Sequence, residues 1–268
     1  NEHVEKFIVT ESTFSHSGKK KKLNFDINNY QKYKDKIIYM VIDKEPDDII
    51  KSSDNGQFKR TNSIKRIELS YDHMMSEIKK VSDNDLIILS DNDEIPNLNA
   101  LQFKKNKNDI YIFKQLFFYY KFNLLYDRMF WFGSKACKKK KLESLSWLRN
   151  LKSKKYPFWR LDTYFSKTKN INFEIVNDGG WHFTNIMSAE DLYTKMTNFG
   201  HHDEFELSGL TLEDLKISID KGVVFYDHFA GQEEKNKWKY DYKLKKISDS
   251  LLPSSLIENK IKLKKWFN

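Results

Sequence analysis

Unbroken apolar runs alternate with a segment of helical spacing over the first hundred residues of the chain. The pattern predicts strands at residues 4–10, 36–42 and 85–90, and a helix at residues 58–81. Runs without a polar break are typical of strands that are covered on both faces of a sheet. Because strands and helices alternate, we expect an α/β fold with a mostly parallel, doubly wound sheet flanked by helices.

The later part of the chain predicts shorter and more aromatic elements. We expect strands at residues 110–120 and 128–133, and helices at residues 142–151, 189–198, 212–220 and 256–267. Two of these helices follow sequences with the form of a capping box, which begin at Ser188 and Thr211. No internal repeat and no separating linker is recognised, so residues 1–268 are expected to form a single domain, with a basic helix in residues 253–268.

A cluster of carboxylates follows the third predicted strand. Asp91, Asp93 and Glu94 come directly after it, and Pro96 stops the segment. Open α/β sheets bind ligands at the carboxyl ends of their strands. Two neighbouring oxygen ligands there suit Mg²⁺ or Mn²⁺, with a diphosphate completing the coordination. Turns are also rich in Asp and Asn for conformational reasons, so a purely structural turn is the alternative.

The composition is that of a folded chain from a reducing compartment. Of the 268 residues, 39% are hydrophobic and 15% are aromatic, which is enough to form a sizeable core. A single cysteine, Cys137, excludes an intrachain disulfide, and a cytoplasmic location is expected. No run approaches the roughly 20 apolar residues of a membrane span, and no signal peptide is recognised.

The net charge of +9 indicates an anionic partner or surface. Lysine runs occur at residues 19–22, 138–141 and 260–265. Lysine is also abundant in proteins from AT-rich genomes, in which such runs are simply solvated surfaces. We favour this interpretation for residues 138–141. Nucleic-acid binding is not expected, because no zinc-ligand spacing or RNA-recognition motif is present. Peripheral contact with the inner face of an anionic membrane fits better, since each exposed lysine adds about 1 kcal/mol near such a surface.

Six short segments form an ordered set along the chain. They are Phe7-Ile8-Val9-Thr10-Glu11-Ser12, Phe14-Ser15-His16-Ser17-Gly18-Lys19, the acidic segment 90–96, Gly179-Gly180-Trp181-His182-Phe183, Ala189-Glu190 with Lys195, and Phe199 with His201. Together they resemble glycosyltransferase family 17, the family of the enzyme that adds the bisecting N-acetylglucosamine to N-glycans. Lys20 and Lys22 replace prolines of the family pattern, and Asn92 separates the two aspartates. A strand and a helix normally precede Val4 in the family, and we expect them to be missing here.

The resemblance implies a GT-A-like, Rossmann-type fold and an inverting transfer of a sugar, expected to be N-acetylglucosamine, from a UDP-sugar to a glycan acceptor. UDP-galactose or a GDP-sugar is the alternative donor, and a basic nucleic-acid-binding protein is the alternative from another class. The resemblance also implies a Mn²⁺ or Mg²⁺ ion. Asp93 is the first expected metal ligand, and His182 is the third. Asp91 is expected to contact the metal through a water molecule or to contact the donor ribose. A core histidine is the equally weighted alternative for His182.

Other motif residues are expected to bind the donor. Glu11 and Ser12 would hydrogen-bond its uracil or ribose, and Lys19 and Arg149 would contact its diphosphate. Arginine is expected at the diphosphate because a guanidinium can bind it through two parallel hydrogen bonds. Among the arginines, Arg149 is the preferred candidate. Trp181 is either a stacking platform for a sugar or base, or a core residue.

Glu190 and Asp178 flank the Gly-Gly-Trp-His segment and are the candidate general bases for the acceptor hydroxyl. Glu190 also suits a helix N-terminus, which is its structural alternative. Glu94 either orients a ligand or forms a salt bridge. Residues 201–204 could be mistaken for a second metal site, but adjacent ligands rarely converge, so a loop or phosphate contact is expected. A lipid-linked saccharide could be the acceptor, reached by the basic C-terminal helix at the membrane.

Overall fold

The structure is a computed structural model that describes residues 3–50, 56–101, 108–154, 156–198, 202–230 and 237–268. Its strands are β1 (Phe7–Ser12), β2 (Ile37–Ile42), β3 (Leu86–Leu89), β4 (Glu94–Pro96), β5 (Ile110–Phe113), β6 (Leu116–Tyr119), β7 (Leu124–Leu125), β8 (Lys135–Lys138), β9 (Glu174–Val176), β10 (Gly180–Thr184), β11 (Val223–Val224), β12 (Tyr242–Lys243) and β13 (Lys245–Lys246). Its α-helices are α1 (Gly56–Ile78), α2 (Leu145–Asn150), α3 (Ala189–Met196), α4 (His202–Ser208), α5 (Leu212–Lys221) and α6 (Ser254–Glu258). Short 3₁₀ helices lie at Ile27–Lys36, Leu98–Ala100, Lys139–Lys141, Leu161–Thr163, Asp249–Leu251 and Lys264–Trp266.

The first two strands form a parallel pair, as their apolar runs predict. Phe7 lies opposite Ile37, Ser12 lies opposite Ile42, and α1 packs against both strands. The apolar face of α1 joins a buried cluster that includes β3, β5 and α2. The alternation of strand and helix predicted for this part of the chain is therefore confirmed.

The third strand corrects the prediction of a mostly parallel sheet. β3 pairs antiparallel with β8 in a four-stranded sheet of order β3-β8-β5-β9, in which only β5 and β9 run parallel. The sequence predicts a strand at residues 128–133, but the structure has one isolated bridge there, between Gln115 and Trp131, and the strand β8 follows later. The two central residues of β8, Ala136 and Cys137, are fully buried. Because a lysine flanks this apolar pair on each side, the sequence shows no apolar run that would predict a strand here.

A second sheet has five strands in the order β13-β7-β6-β10-β4. β6 and β10 run parallel, and the other neighbours run antiparallel. The strand predicted at residues 110–120 is divided between the two sheets, because β5 belongs to the four-stranded sheet and β6 to the five-stranded one. Lys114 and Gln115 lie at the division. The described architecture is thus a mixed α/β fold rather than one parallel sheet.

The acidic segment crosses from one sheet to the other. Residues 90–93 follow β3 and lead directly into β4. In β4, Glu94 lies opposite His182 of β10, and Pro96 lies opposite Gly180. The carboxylates therefore lie at the junction of two mixed sheets, and not at the edge of a single parallel sheet as the sequence predicts.

Two helices begin at the residues that the sequence indicates. The Ser188 hydroxyl accepts a hydrogen bond from the Asp191 amide at 3.1 Å and caps α3. A full capping box at the start of α5 joins Thr211 and Asp214, and Gly222 ends this helix with a left-handed φ of 61°. These local hydrogen bonds fix the helix ends, and α3 and α5 pack against each other.

The long basic helix predicted at residues 256–267 is wrong. The segment forms the short helix α6 and a separate 3₁₀ turn at Lys264–Trp266. Its apolar residues pack against Phe118 and Phe183 of the five-stranded sheet, and the Phe122 amide donates to the Trp266 carbonyl at 2.8 Å. Packing onto the sheet therefore replaces the continuous surface helix. Along the described part of the chain, every helix is too short or too polar to cross a lipid bilayer.

The Gly-Gly pair before β10 permits an unusually close backbone contact. A Cβ at Gly180 would lie 2.0 Å from the Ile95 carbonyl oxygen, and its φ of 117° is one that other residues rarely adopt. A Cβ at Gly179 would lie 2.5 Å from the Lys114 nitrogen. Gly180 is therefore needed for β10 to fit beside β4, which sets the position of His182, whereas Gly179 permits the close approach of the Lys114 backbone.

Replacing Gly180 with alanine should lower the free energy of unfolding by about 3 kcal/mol or more, because backbone strain and a steric clash act together. Gly209→Ala is the matched control. Gly209 also has a positive φ, 71°, but no atom lies within 4 Å of the Cβ position, so a loss of about 1 kcal/mol is expected. Urea unfolding followed by circular dichroism measures both values. Equal losses would contradict the proposed clash.

Candidate functional site

The two aspartates of the acidic segment face different partners. The Asp91 Oδ2 atom accepts a hydrogen bond from Arg149 Nη2 at 2.6 Å. The Asp93 Oδ2 atom lies 3.4 Å from His182 Nε2. The structure therefore brings together four of the predicted site residues, but as two separate pairs.

Glu94 ties the acidic segment to its surroundings. It is 6% exposed, and its carboxylate accepts hydrogen bonds from Trp131 Nε1 (2.6 Å), Ser134 Oγ (3.0 Å) and the Asp91 amide (3.2 Å). Burial raises the pKa of Glu94, the charge of Asp91 raises it further, and the Trp131 hydrogen bond opposes the rise. Of the two roles considered for Glu94, these contacts favour the one that orients the ligand-bearing segment.

The imidazole of His182 is held between two aromatic rings. It stacks on Trp131 at 4.4 Å and on Phe117 at 4.7 Å, measured between ring centroids. The side chain is buried, and its Nδ1 atom has no hydrogen-bond partner among the described residues. This stacking fixes the ring so that Nε2 faces Asp93.

The carboxylate of Asp93 is stabilised in its charged form. Burial acts against ionisation, but the hydrogen bond from His182 and the charges of His182 and Lys195 together keep the pKa of Asp93 below its usual value. Lys195 lies on α3, and its Nζ donates to Asn185 Oδ1 at 3.0 Å. Burial lowers the pKa of Lys195, and Asp93 counteracts this. Sequence reasoning gave Lys195 no role, although the Ala-Glu…Lys motif contained the signal.

The pair formed by Asp93 and His182 fits two ligands of one divalent ion. Neighbouring ligands at about 2.1 Å from an octahedral ion lie about 3.0 Å apart, close to the observed 3.4 Å. Asp91 is turned to Arg149, and no group of three or more His, Cys, Asp or Glu side chains is arranged to hold a metal among the described residues. Magnesium commonly binds through one or two protein ligands plus water and substrate phosphates. The donor set therefore fits an ion that the substrate helps to hold.

Positive charge lies beside the acidic segment. Arg149 lies in the last turn of α2. Although burial lowers its pKa, the charges of Asp91, Tyr71 and Glu94 raise the pKa of Arg149 overall. The Arg149 carbonyl accepts a hydrogen bond from Lys135, and burial together with the Arg149 charge lowers the pKa of Lys135 to about 8. Arg149 is thus positioned near the candidate metal ligands, as a diphosphate contact requires.

A cavity of about 240 Å³ lies between α1 and α4. Its lining residues are Ser17, Lys19, Lys59, Asn62, Arg66, Thr197, His202 and Glu206. Lys19 lies on the wall of this cavity together with Lys59 and Arg66, so the wall is basic. Burial lowers the pKa of the nearby His16; the charge of Asp91 opposes this shift, and the charge of Arg66 adds to it. Glu204 pairs with Arg60 and Lys237 instead of forming a second metal site, while His201 and Phe199 lie outside the described residues.

Glu11 is enclosed by its own loop and by β2. Its four hydrogen-bond donors are Lys21 Nζ (2.7 Å), Asn24 N (2.8 Å), Phe25 N (2.9 Å) and the Tyr39 hydroxyl (3.0 Å). Burial acts against ionisation, but these bonds together lower the pKa of Glu11 to about 2. Ser12 Oγ accepts from the Phe14 amide at 3.0 Å. Because a carboxylate offers about four acceptor positions, this geometry favours a structural role for Glu11.

Trp181 and Glu190 make their contacts away from the Asp93–His182 pair. Trp181 projects to the face of β10 opposite His182, where its Nε1 donates to the Leu251 carbonyl at 2.6 Å and its ring joins the C-terminal core cluster. Glu190 is exposed and pairs with Lys216 at 3.2 Å. Asp178 lies in the exposed turn before β10, with a φ of 50°. Their functional roles remain predictions.

Comparison with protein families gives a match to the model described as glycosyltransferase family 17, over residues 1–264. No curated protein and no solved structure matches the chain. A family match of this extent defines a glycosyltransferase. The chain belongs to glycosyltransferase family 17, which confirms the resemblance seen in its motifs. Membership implies a nucleotide-sugar donor and a glycan acceptor.

The enclosure of Glu11 gives a pH-dependent prediction. Glu11→Gln should lower the stability at pH 7 by about 2 kcal/mol, because an amide cannot accept from all four donors. The folded pKa of about 2 lies below the ordinary value of 4.5, so the carboxylate stabilises the fold above pH 4.5 and loses that contribution as the pH falls towards 2. Thermal unfolding across this range should show the difference between parent and variant shrinking.

Tyr39→Phe is the matched control for Glu11→Gln, because it removes one of the four donors and should cost about 1 kcal/mol. Equal stability of parent and Glu11→Gln at pH 7 would contradict a structural role. Donor binding lost by a Glu11→Gln variant of parent-like stability would instead support the predicted contact with uracil or ribose.

Proposed function

We propose that this glycosyltransferase moves N-acetylglucosamine from a UDP donor to a saccharide acceptor, with inversion at the anomeric carbon. The metal-dependent form of this proposal is carried by the approach of Asp93 to His182, in the same acidic segment in which Asp91 binds Arg149. Another nucleotide sugar, such as UDP-galactose or a GDP-sugar, is the alternative donor. The single described cysteine, Cys137, is buried and free, which suits the cytoplasmic location that we propose.

Asp93 and His182 would hold a divalent ion in this proposal. An imidazole ligand favours Mn²⁺ over Mg²⁺. When bound, the ion supplies Lewis-acid stabilisation of the departing diphosphate. Asp91 lies in the same segment, and it would reach the ion through water or bind the donor ribose once Arg149 is drawn away.

Arg149 would exchange its carboxylate partner for the donor diphosphate. Its guanidinium now binds Asp91 at 2.6 Å, and a phosphate offers the same paired acceptors with more charge. Lys19, on the wall of the basic cavity between α1 and α4, would contribute a second positive charge. The two cationic groups would thus neutralise the charge of the donor diphosphate.

The general base must accept a proton from the acceptor hydroxyl. The pKa of Glu190 is lowered first by a hydrogen bond from its own amide and then by Lys216, so this group is a weaker base that is engaged elsewhere. Asp178 is exposed in the turn that leads into β10, where an acceptor saccharide has access. We therefore favour Asp178 over Glu190 for this role.

The donor site can be tested by calorimetry of UDP-N-acetylglucosamine with Mn²⁺ and with EDTA. The parent should bind in a metal-dependent manner, and Asp93→Asn should weaken that binding by at least about tenfold, because it removes a charged ligand. Glu190→Gln is the matched control and should bind like the parent. Metal-dependent binding that survives in Asp93→Asn would exclude Asp93 as a ligand, and binding of a GDP-sugar instead would change the donor.

The two candidate bases can be separated by the rate of sugar transfer. Asp178→Asn should lower kcat by about 100-fold or more with little change in donor affinity, since general-base catalysis contributes about 10²–10⁴-fold. Glu190→Gln should retain a kcat near that of the parent. The reverse order of effects would assign the base to Glu190, and two active variants would exclude both residues.

A further inference from the structure

A loop of unusual character connects α2 to β9. We call residues 152–169 the aromatic loop. Its base is closed by hydrogen bonds from the Lys152 amide to the Thr168 carbonyl (3.0 Å) and from Trp147 Nε1 to the Lys167 carbonyl (2.8 Å). A 3₁₀ turn at Leu161–Thr163 lies within it. The loop is therefore anchored to the core at its base and projects outward.

Five large apolar side chains of this loop face solvent. They are Phe158, Trp159, Leu161, Tyr164 and Phe165, with exposed fractions of 76%, 67%, 69%, 57% and 91%. Single exposed apolar residues are common, but a contiguous group marks a surface that binds something. Each such side chain gains about 1.5–3 kcal/mol when it is fully buried, so the group represents a substantial binding energy.

The aromatic loop is also strongly basic. Its sequence contains five lysines and one arginine against a single acid, Asp162, which gives a net charge of +5 over 18 residues. Asp162 pairs with Arg160 at 2.7 Å and lies 3.9 Å from Lys169. The lysines lie on both sides of the aromatic residues in the sequence. Aromatic residues flanked by lysines are typical of protein segments at the interface of a bilayer.

Charge separates the possible occupants of this surface. A second copy of the chain would bring +5 against +5, which opposes self-association through the loop. A saccharide would stack on one or two rings and would leave Leu161 and Phe165 exposed. An anionic lipid surface accepts both features, because headgroups pair with lysines and the apolar side chains enter the acyl boundary.

The loop lies close in the chain to the candidate donor site. It begins soon after Arg149, whose guanidinium binds Asp91. Trp147 and Leu151, next to Arg149 in the chain, are buried in the core cluster below the four-stranded sheet. A surface contact made by the loop would therefore fix the orientation of the site relative to that surface.

We propose that the aromatic loop docks this protein on an anionic phospholipid surface. Phe158, Trp159, Leu161 and Phe165 enter the headgroup and acyl boundary, and the flanking lysines pair with the anionic headgroups. The sequence suggested the C-terminal segment as the membrane contact, but that segment is packed onto the five-stranded sheet. We therefore assign the membrane contact to the aromatic loop. Docking brings a lipid-linked saccharide within reach of the site, a consequence that rests on the proposed function, whereas the docking itself does not.

Co-sedimentation with vesicles tests this proposal. The parent should bind vesicles of phosphatidylcholine with phosphatidylglycerol, and bind pure phosphatidylcholine vesicles much more weakly. The triple variant Phe158→Ser, Trp159→Ser and Phe165→Ser should lower the partition coefficient by at least about tenfold, because three interfacial anchors are lost. Leu207→Ser with Ile261→Ser is the matched control, since both residues are similarly exposed, at 88% and 92%, but lie outside the loop.

Each outcome decides the proposal. A parent that binds neither vesicle, or a triple variant that binds like the parent, overturns it. If the parent does not bind vesicles but self-associates, and the triple variant does not, the surface belongs to a second copy of the chain. If the parent instead binds a single-stranded oligonucleotide tightly, and the triple variant does not, the surface belongs to a nucleic acid. Calorimetry of donor binding should give the same result for parent and triple variant. This separates failure of the docking surface from failure of the proposed transfer activity.

Discussion

The buried carboxylate of Glu94 is the interaction on which the rest of the site depends. It accepts hydrogen bonds from Trp131, Ser134 and the backbone of Asp91, so one side chain fixes the crossing of the chain between two sheets. A buried carboxylate is costly unless its oxygens are satisfied, and three donors offset that cost here. The nearby charge of Asp91 makes ionisation of Glu94 harder, whereas Arg149 makes it easier. The ion pair that Arg149 makes with Asp91 thus offsets part of the repulsion between the Asp91 and Glu94 carboxylates.

The same anchor fixes His182. Glu94 and His182 are paired across β4 and β10, so the position of one residue sets that of the other. Trp131 acts on both, because its Nε1 donates to Glu94 and its ring stacks on the imidazole. Rotation of His182 would disturb the stacking that also supports Glu94. Asp93 precedes Glu94 in the chain, and it is thereby kept 3.4 Å from His182. The close approach of β10 to β4 requires Gly180, which links backbone packing directly to the chemistry of the site.

Much of the fold could be predicted from local signals, because these depend only on residues that are close together in the sequence. The apolar runs of β1 and β2, the periodicity of α1 and the caps at Ser188 and Thr211 are of this kind. The mixed order of the sheets was not predicted, since β8 contributes only two buried apolar residues between lysines and pairs with distant strands. The motifs indicated Asp93 and His182. They did not indicate the enclosure of Glu11, because two of its donors are backbone amides that leave no mark in the sequence.

Arg149 connects the acidic segment to the rest of the molecule. Its guanidinium neutralises Asp91, its carbonyl accepts a hydrogen bond from the buried Lys135, and it lies in the short helix that precedes the aromatic loop. If the proposed diphosphate replaced Asp91 at Arg149, the released carboxylate would be free to turn towards an ion held by Asp93. Binding of the donor and of the ion would support one another in this exchange, and reciprocity requires the two effects to be equal in free energy. In the proposed exchange, the ion pair between Arg149 and Asp91 holds both side chains in place until the donor binds.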